Sequence, residues 1–377
     1  MGERAGVHES DQCNRKSETV RALDPDTRAD LDRATTNASR GILEAECQEV
    51  LRRPYEAALA YLGAALEFKA AAEVSAATGS APGAAEKYLD AAQSFLNADS
   101  WIEADRCLRS AVDVIEGQKE GGRLAHLRNR TAEIKRELRA VIQEETAIRR
   151  VIQGRTGGLD QVDPKFLEES LGRFPGLPLL HYCAAIHALE RGERELAFEH
   201  AELARRLHPW DARWWAGLAY VLLQSKRPDE GLRLAGHALE LFPTDPRLRT
   251  IAGVLAYDCA RHHRTPAAHE SARHRLDEAI KQETIDSGER LRLLMMRADT
   301  EYRLRNFAQA GKSMEQAQLL LDQDPTLART PTFRVLRAQL PVARRRLARA
   351  GSHAPRTEAG LLSADVIAAI RPRVRIA

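Results

Sequence analysis

The chain has 377 residues, of which 44% are hydrophobic, 29% are charged and only 5% are aromatic, and its formal net charge is +3. This composition favours helix formers over the β-branched and aromatic residues typical of strands. No apolar run reaches the ~20 residues of a membrane span, and the polar N-terminus does not resemble a signal peptide. The five cysteines lie far apart without a C-x-x-C pair, so no disulfide framework or thiolate zinc site is expected. We therefore expect an all-α, soluble, cytoplasmic protein.

The first part of the chain is predicted to form a leader and a helical bundle. Residues 1–40 are charged and polar, and we expect them to be disordered or weakly structured. Residues 41–154 are predicted to form the bundle, in which the pattern Tyr-x-x-Ala-Ala-x-x-Phe begins at Tyr61 and again at Tyr88. Arg123 to Gln153 lacks proline and glycine and keeps its aliphatic residues on one face. This stretch is therefore predicted to be one long junction helix.

Residues 155–325 contain an internal repeat. Pro175, Pro209 and Pro243 stand 34 residues apart, each where a helix is expected to end. Small residues recur with the same period, in the pairs Ala185 and Ala219, Ala197 and Gly231, and Ala204 and Ala238. Since a small side chain allows two helix axes to approach closely, this recurrence predicts a stack of paired antiparallel helices.

The repeated residues resemble the tetratricopeptide repeat (TPR) family. Its signature positions hold Trp215, Leu218, Ala219, Gly231, Ala238 and Pro243. Ala219 departs from the pattern, because a glycine usually follows the leucine. The resemblance implies an α-solenoid of antiparallel helix pairs, here with an N-terminal helical bundle and a long junction helix.

Three further stretches follow the same spacing of small residues. Tyr88 to Ala111 forms one unit within the bundle. Gly253 begins a unit whose second helix is displaced by an insertion of seven residues, with an enlarged turn expected at Arg261 to Ala268. Ala298, Ala310 and Ala317 mark the last unit.

The C-terminal part of the chain is basic. Residues 331–377 hold ten arginines, no lysine and two acids, a balance of +8 that leaves 3 − 8 = −5 for the remainder. Residues 326–350 are predicted to be a capping helix over the open end of the stack. Residues 351–377 are predicted to be a basic tail, with a flexible break followed by a short apolar helix from Leu361 to Ile370.

Two roles are open for this tail besides a solvated run of charge. Its arginines could bind nucleic acid or another anionic surface. The candidates are Arg344, Arg345, Arg346, Arg371, Arg373 and Arg375. Alternatively, the short apolar helix folds onto the array of its own chain and is displaced by a partner.

The resemblance also implies a binding surface, because in this family the first helix of each pair lines a concave face. The residues at the corresponding positions are Tyr182, Ile186, Arg213, Tyr220, Arg247, Val254, Tyr257, Arg292 and Tyr302. Tyrosine and arginine are frequent anchors of interfaces. The alternative is that these side chains are solvated or packed against neighbouring helices.

No pattern of catalytic, cofactor-binding or metal-ligating residues stands out. His269 and His274 are five residues apart and so lie on different helix faces, while the glycines of Gly154 to Gly158 lack the lysine of a phosphate loop. We expect no enzyme activity, cofactor or metal. The predicted function is a protein- or peptide-binding scaffold or adaptor; the alternatives are a peptide-responsive regulator or sensor, and a nucleic-acid-associated adaptor that uses the arginine-rich tail.

Overall fold

The structure is a computed structural model that describes residues 25–50, 54–118, 122–153, 162–324, 327, 330–352, 361–363 and 366–367. Within these ranges the chain forms fifteen α-helices and no strand, which confirms the all-α prediction. The chain divides into two compact units, Met1–Cys183 and Ala184–Ala377. Their boundary lies inside a helix, whereas the sequence analysis placed a boundary between residues 154 and 155.

The helices of the first unit are α1 (Pro25–Val50), α2 (Pro54–Ala77), α3 (Ala81–Asn97), α4 (Trp101–Glu116), α5 (Gly122–Gln153) and α6 (Pro164–Arg173). The boundary between the units falls within α7 (Pro178–Glu190). The second unit continues with α8 (Arg194–Leu207), α9 (Ala212–Gln224), α10 (Pro228–Leu241), α11 (Pro246–His263), α12 (Pro266–Ile280), α13 (Ser287–Arg303), α14 (Phe307–Gln323) and α15 (Pro331–Ser352).

Helical structure begins earlier than the sequence analysis expected. The prediction of a disordered or weakly structured leader does not hold for residues 25–40, because α1 starts at Pro25; residues 1–24 lie outside the described residues. Proline suits a first helical position, where its fixed φ fits and no N–H is needed. Ala38 and Ala45 are completely buried, and α1 packs against α2. This packing depends on small side chains, which give a weaker sequence signal than a stripe of large aliphatic residues.

The long helix predicted from Arg123 to Gln153 is present as α5. It packs against α3 and α4, and its aliphatic residues Leu127, Ile134 and Leu138 are buried along one face. Arg130 forms an ion pair with Asp90 of α3 at 2.8 Å, between Nη1 and Oδ1. The single apolar stripe therefore marks the side on which the bundle lies.

The loop between α6 and α7 is joined closely to the turn between α3 and α4. The backbone N–H of Gly176 donates to Oδ2 of Asp99 at 2.8 Å, and the ring of Phe174 meets the ring of Trp101 edge-on at 5.8 Å. Asp99 has a φ of 52°, in the left-handed region that few residues other than glycine and asparagine adopt readily. Burial raises the pKa of Asp99 to about 7, and the hydrogen bond from Gly176 opposes that rise.

The raised pKa of Asp99 makes the stability of the first unit depend on pH. Between the ordinary pKa of 3.8 and about 7, the folded state binds more protons than the unfolded state, so stability falls as pH rises through this window. We expect Asp99→Asn to raise the free energy of unfolding by about 1–3 kcal/mol at pH 8 and to change it little at pH 4. Urea unfolding of both proteins at the two pH values measures the difference; a gain that is equal at both would contradict this account.

Helices of the second unit stack in consecutive pairs. Each helix from α8 to α14 packs against the next one. The first helices of successive pairs also meet, since α9 packs on α11 and α11 packs on α13. The small residues predicted to lie at the crossings are buried; Ala219 and Ala238 have no exposed surface. A Cβ atom on Gly231 would lie 2.8 Å from Cδ2 of Leu255, so the glycine allows close approach of α10 and α11.

The seven-residue insertion lengthens a helix and does not enlarge a turn. The expected turn at Arg261 to Ala268 is wrong, because α11 continues to His263 and α12 begins at Pro266. Arg264 ends α11 with a φ of 57°, and the Thr265 side chain accepts a hydrogen bond from the Ala268 N–H to cap α12. No proline or glycine precedes Pro266 after Gly253, so the helix is free to run on.

Candidate binding surface

The first helices of successive pairs begin in a repeated way. Asp211 and Asp245 cap α9 and α11 by accepting hydrogen bonds from backbone N–H groups, both at 2.9 Å to the residue two positions on. Six residues after each loop proline, a side-chain N–H donates to that proline's carbonyl: Trp215 Nε1 to Pro209 at 2.7 Å and Arg249 Nη2 to Pro243 at 2.7 Å.

The same contact occurs in α7 of the first unit, where Nε2 of His181 lies 2.7 Å from the Pro175 carbonyl oxygen. A carbonyl oxygen only accepts, so this ring nitrogen carries the proton. Positions 181, 215 and 249 keep the 34-residue period while their residue types differ. Sequence reasoning missed this set, because it compared residue types; a comparison of N–H donors at the repeat spacing would have found it.

The predicted binding residues of α9 are partly exposed. Arg213 is held at the start of the helix, where its guanidinium nitrogens donate to both carboxylate oxygens of Asp211 at 2.6–3.1 Å. Burial acts to raise the pKa of Asp211, but these hydrogen bonds outweigh it and the pKa lies below its ordinary value. Tyr220 is half-buried and packs at the edge of the core, and Arg247, near the start of α11, is also half-buried.

Further along α11 and α13 the predicted binding residues are either buried or packed against other side chains. Val254 and Tyr257 are 2% and 0% exposed, so the structure places them in the interior and not on an open surface. The guanidinium of Arg292 lies over the Phe333 ring of α15, 5.2 Å from its centre. Tyr302 packs edge-on against Phe307 with ring centres 5.6 Å apart. This end of the predicted surface is therefore occupied by side chains from later in the chain.

A buried polar network joins α11 to α13. The carboxylate of Asp299 is completely buried; its Oδ2 accepts hydrogen bonds from the Tyr257 hydroxyl at 3.0 Å and from Nε of Arg303 at 2.9 Å. Burial and the neighbouring charge of Asp299 raise the pKa of Tyr257 well above its ordinary value, which keeps the hydroxyl protonated as the donor. The other oxygen, Oδ1, accepts from the backbone N–H of Leu362 at 3.2 Å.

Leu362 belongs to what we call the C-terminal segment, the described residues 361–363 and 366–367. Four of its side chains are at most 5% exposed, namely Leu361, Leu362, Val366 and Ile367. They lie in the same hydrophobic cluster as Val254, Tyr257 and Met295. The segment thus contacts the first helix α13 at Asp299 and shares a hydrophobic cluster with first-helix residues of α11 and α13.

The remaining predicted site residues are placed as follows. Tyr182 is 1% exposed and belongs to the first unit, while Ile186 is half-buried and belongs to the second. Arg344, Arg345 and Arg346 are exposed on α15, and Nη1 of Arg346 donates to the Leu361 carbonyl at 3.2 Å. The other three candidate arginines, Arg371, Arg373 and Arg375, lie outside the described residues.

Reactive and metal-binding groups do not converge at this surface. Cys183 and Cys259 are buried, and burial raises the pKa of each thiol to about 12, so neither is a thiolate near neutral pH. His269 is buried while His274 is exposed, as their spacing predicted. Across the described ranges, no group of histidine, cysteine and acidic side chains is arranged to hold a metal ion. No helix in those ranges is long and apolar enough to span a bilayer.

No protein-family model and no curated protein matches the sequence. Several solved structures are similar to this chain at low identity. A structure described as the functional characterisation of Pseudomonas aeruginosa PilF is 14% identical, with 65% of this chain and 95% of that one covered and a TM-score of 0.33. A tetratricopeptide repeat protein from Parabacteroides merdae is 14% identical over 76% of this chain and 93% of that one, with a TM-score of 0.33.

A structure described as the TPR2AB-domain:pHSP90 complex of yeast Sti1 is also similar. It is 14% identical over 64% of this chain and 91% of that one, and its TM-score is 0.22. Scores at this level carry no argument by themselves, so the assignment of the fold rests on features internal to the chain. Those features are the 34-residue period, the consecutive helix pairs and the buried small residues at their crossings. In its fold the chain is a TPR-like α-solenoid protein.

Proposed function

We propose that this protein is a non-catalytic scaffold or adaptor that binds a protein or peptide segment through the first helices of its pairs. The observation that supports this best is the C-terminal segment, an apolar stretch of chain that is hydrogen-bonded to Asp299 of α13 and buried in one hydrophobic cluster with first-helix residues of α11 and α13. Stacked helices bring side chains distant in sequence onto one surface, and an apolar segment laid across it buries area on several helices at once.

The open part of the same surface offers suitable anchors. Arg213, Tyr220 and Arg247 are each half-buried, so part of every side chain faces solvent. Arg213 is held in place by Asp211, which reduces the conformational entropy that it would lose on binding.

Photo-cross-linking from single positions tests the proposed surface. A photoreactive amino acid at Tyr220 or Arg247 is expected to give discrete adducts with another protein in cells. The matched control positions are Arg233 and Glu240, both exposed on the second helix α10. Adducts of equal yield from all four positions, or none from Tyr220 and Arg247, would count against the proposal. Arg247→Glu is expected to reduce the adduct formed from position 220.

A further inference from the structure

We propose that the C-terminal segment is an intramolecular ligand, which occupies the binding surface in the resting protein and is displaced by a partner segment of the same chemistry. This inference rests on the proposed function and specifies its ligand. The partner segment would carry two adjacent large aliphatic residues and, after three intervening residues, two more, in the spacing of Leu361, Leu362, Val366 and Ile367.

The contacts to the backbone of the segment converge on one peptide group. The carbonyl of Leu361 accepts from Nη1 of Arg346 at 3.2 Å, and the N–H of Leu362, the other side of that peptide bond, donates to Oδ1 of Asp299 at 3.2 Å. One contact comes from α15 and the other from α13, and each involves a charged side chain. Because both contacts are to main-chain atoms, any other peptide can reproduce them.

The side chains of the segment supply the selectivity. Leu361 and Leu362 flank the clamped peptide group, and both are buried in the cluster that includes Tyr257 and Met295. The Ile367 N–H donates to the Ser363 carbonyl at 3.0 Å. Val366 and Ile367 belong to the same cluster, where they are 0% and 5% exposed. We call the buried site that holds these four side chains the seat. A charged residue at any of the four positions would be excluded from it.

The position of the seat favours displacement over permanent burial. Arg346, which donates to the Leu361 carbonyl, is exposed, so water and a competing chain reach the edge of the seat. The buried positions Val254 and Tyr257 continue along α11 from Arg247, which is half-buried. A partner that first contacts the open positions is therefore next to the buried ones and can replace the segment stepwise.

The covalent link between the C-terminal segment and the rest of the chain determines how strongly the segment competes with an added peptide. A short tether gives an effective concentration on the order of 1 mM. If the free segment binds with a Kd of about 10 µM, the seat is then open in roughly 1% of molecules, and the apparent affinity for an added peptide falls about 100-fold. Removing the segment's own contacts should restore that affinity.

The test uses a fluorescently labelled peptide that corresponds to residues 356–370, added to the full-length chain and followed by fluorescence anisotropy. The double variant Leu361→Asp, Leu362→Asp is expected to bind the peptide at least 10-fold more tightly than the wild-type chain. Leu319→Asp, which changes an exposed leucine of α14, is the matched control and should behave as wild type. A peptide carrying the two aspartates should not bind.

A second variant keeps the test decisive if the double variant misfolds. Arg346→Ala removes one contact from an exposed side chain and is expected to increase peptide binding by releasing the segment, with unchanged circular dichroism. Equal peptide affinity in the wild-type and segment variants, or no binding to any of them, would overturn the inference. A wild-type dimer that becomes a monomer in the double variant would overturn it too, because the occupant would then be a second copy.

The two proposals fail in different ways. If the labelled peptide binds the released seat but photo-cross-linking from Tyr220 and Arg247 finds no partner, the intramolecular ligand stands and the scaffold function does not. If partners cross-link equally well to the wild-type chain and to the Leu361→Asp, Leu362→Asp variant, the scaffold function stands and the inhibitory role of the segment falls.

Discussion

Replacing Asp299 with alanine is expected to lower the free energy of unfolding by about 3–5 kcal/mol, the cost of breaking a buried ion pair from one side. The carboxylate is completely buried and accepts from Tyr257, Arg303 and Leu362. Its loss would leave the Arg303 guanidinium, whose side chain is only 18% exposed, without its partner in the interior. Urea unfolding followed by circular dichroism measures the change.

The matched control is Tyr257→Phe, which removes one hydroxyl donor and keeps the ring. It should cost only about 1 kcal/mol, since Asp299 retains Arg303 and the Leu362 N–H. If Asp299→Ala costs no more than Tyr257→Phe, the network does not hold α11, α13 and the C-terminal segment together as described. Asp299→Ala should also speed the hydrogen exchange of the Leu362 amide, whereas Tyr257→Phe should not, because only Asp299→Ala removes the acceptor of the Leu362 N–H.

The helix pairs were predictable because close crossings constrain residue size locally. Ala219 and Ala238 have no room for larger side chains, and each is matched by an alanine 34 residues earlier. A period of this kind is visible in one sequence without knowledge of the fold. The same argument found the unit around Ala92 and Ala111, both of which are completely buried.

The state of the binding surface was not predictable in the same way. Tyr257 and Val254 occupy positions that the resemblance assigns to an open face, yet they are buried. They share their hydrophobic cluster with Leu362, which meets Asp299 from 63 positions further along the chain. Nothing in the repeat period encodes that contact; the sequence offered the apolar stretch at Leu361 only as one of several alternatives for the tail.

Close approach to backbone atoms is equally invisible in the sequence. Gly176 follows Pro175, and in the sequence this pair looks like part of an ordinary loop. In the structure the position of Gly176 is fixed by the turn at Ala98 and Asp99, which is distant in sequence. The helix-ending proline was predicted from the repeat, whereas the need for glycine after it depends on which turn the loop meets. Contacts of this kind require coordinates, because neither residue type nor spacing specifies the partner.

Gly176→Ala is accordingly expected to destabilise the first unit by about 3 kcal/mol or more. An added Cβ would lie 2.3 Å from the Ala98 carbonyl oxygen and 2.8 Å from its carbon, both backbone atoms that cannot rotate away. Overpacking alone costs about 1–3 kcal/mol, and the shift needed to relieve it would also weaken the hydrogen bond from Gly176 to Asp99. Hydrogen exchange of the amides in α4, compared with wild type, measures the loss in this unit directly.

The control for this variant is Gly172→Ala in α6, where an added Cβ would meet no atom within 4 Å and the residue is exposed. There alanine should leave stability unchanged or raise it by up to about 1 kcal/mol, because it favours the helix over the unfolded chain. Equal exchange rates in α4 for the two variants would contradict this account. They would show that a Cβ on residue 176 does not lie as close as 2.3 Å to the Ala98 carbonyl oxygen. Faster exchange for Gly176→Ala alone would place the cost at that single backbone contact. At pH 4, where Asp99→Asn by itself changes stability little, adding Asp99→Asn should not slow the exchange again, since the clash involves atoms of residue 98 that the substitution leaves in place.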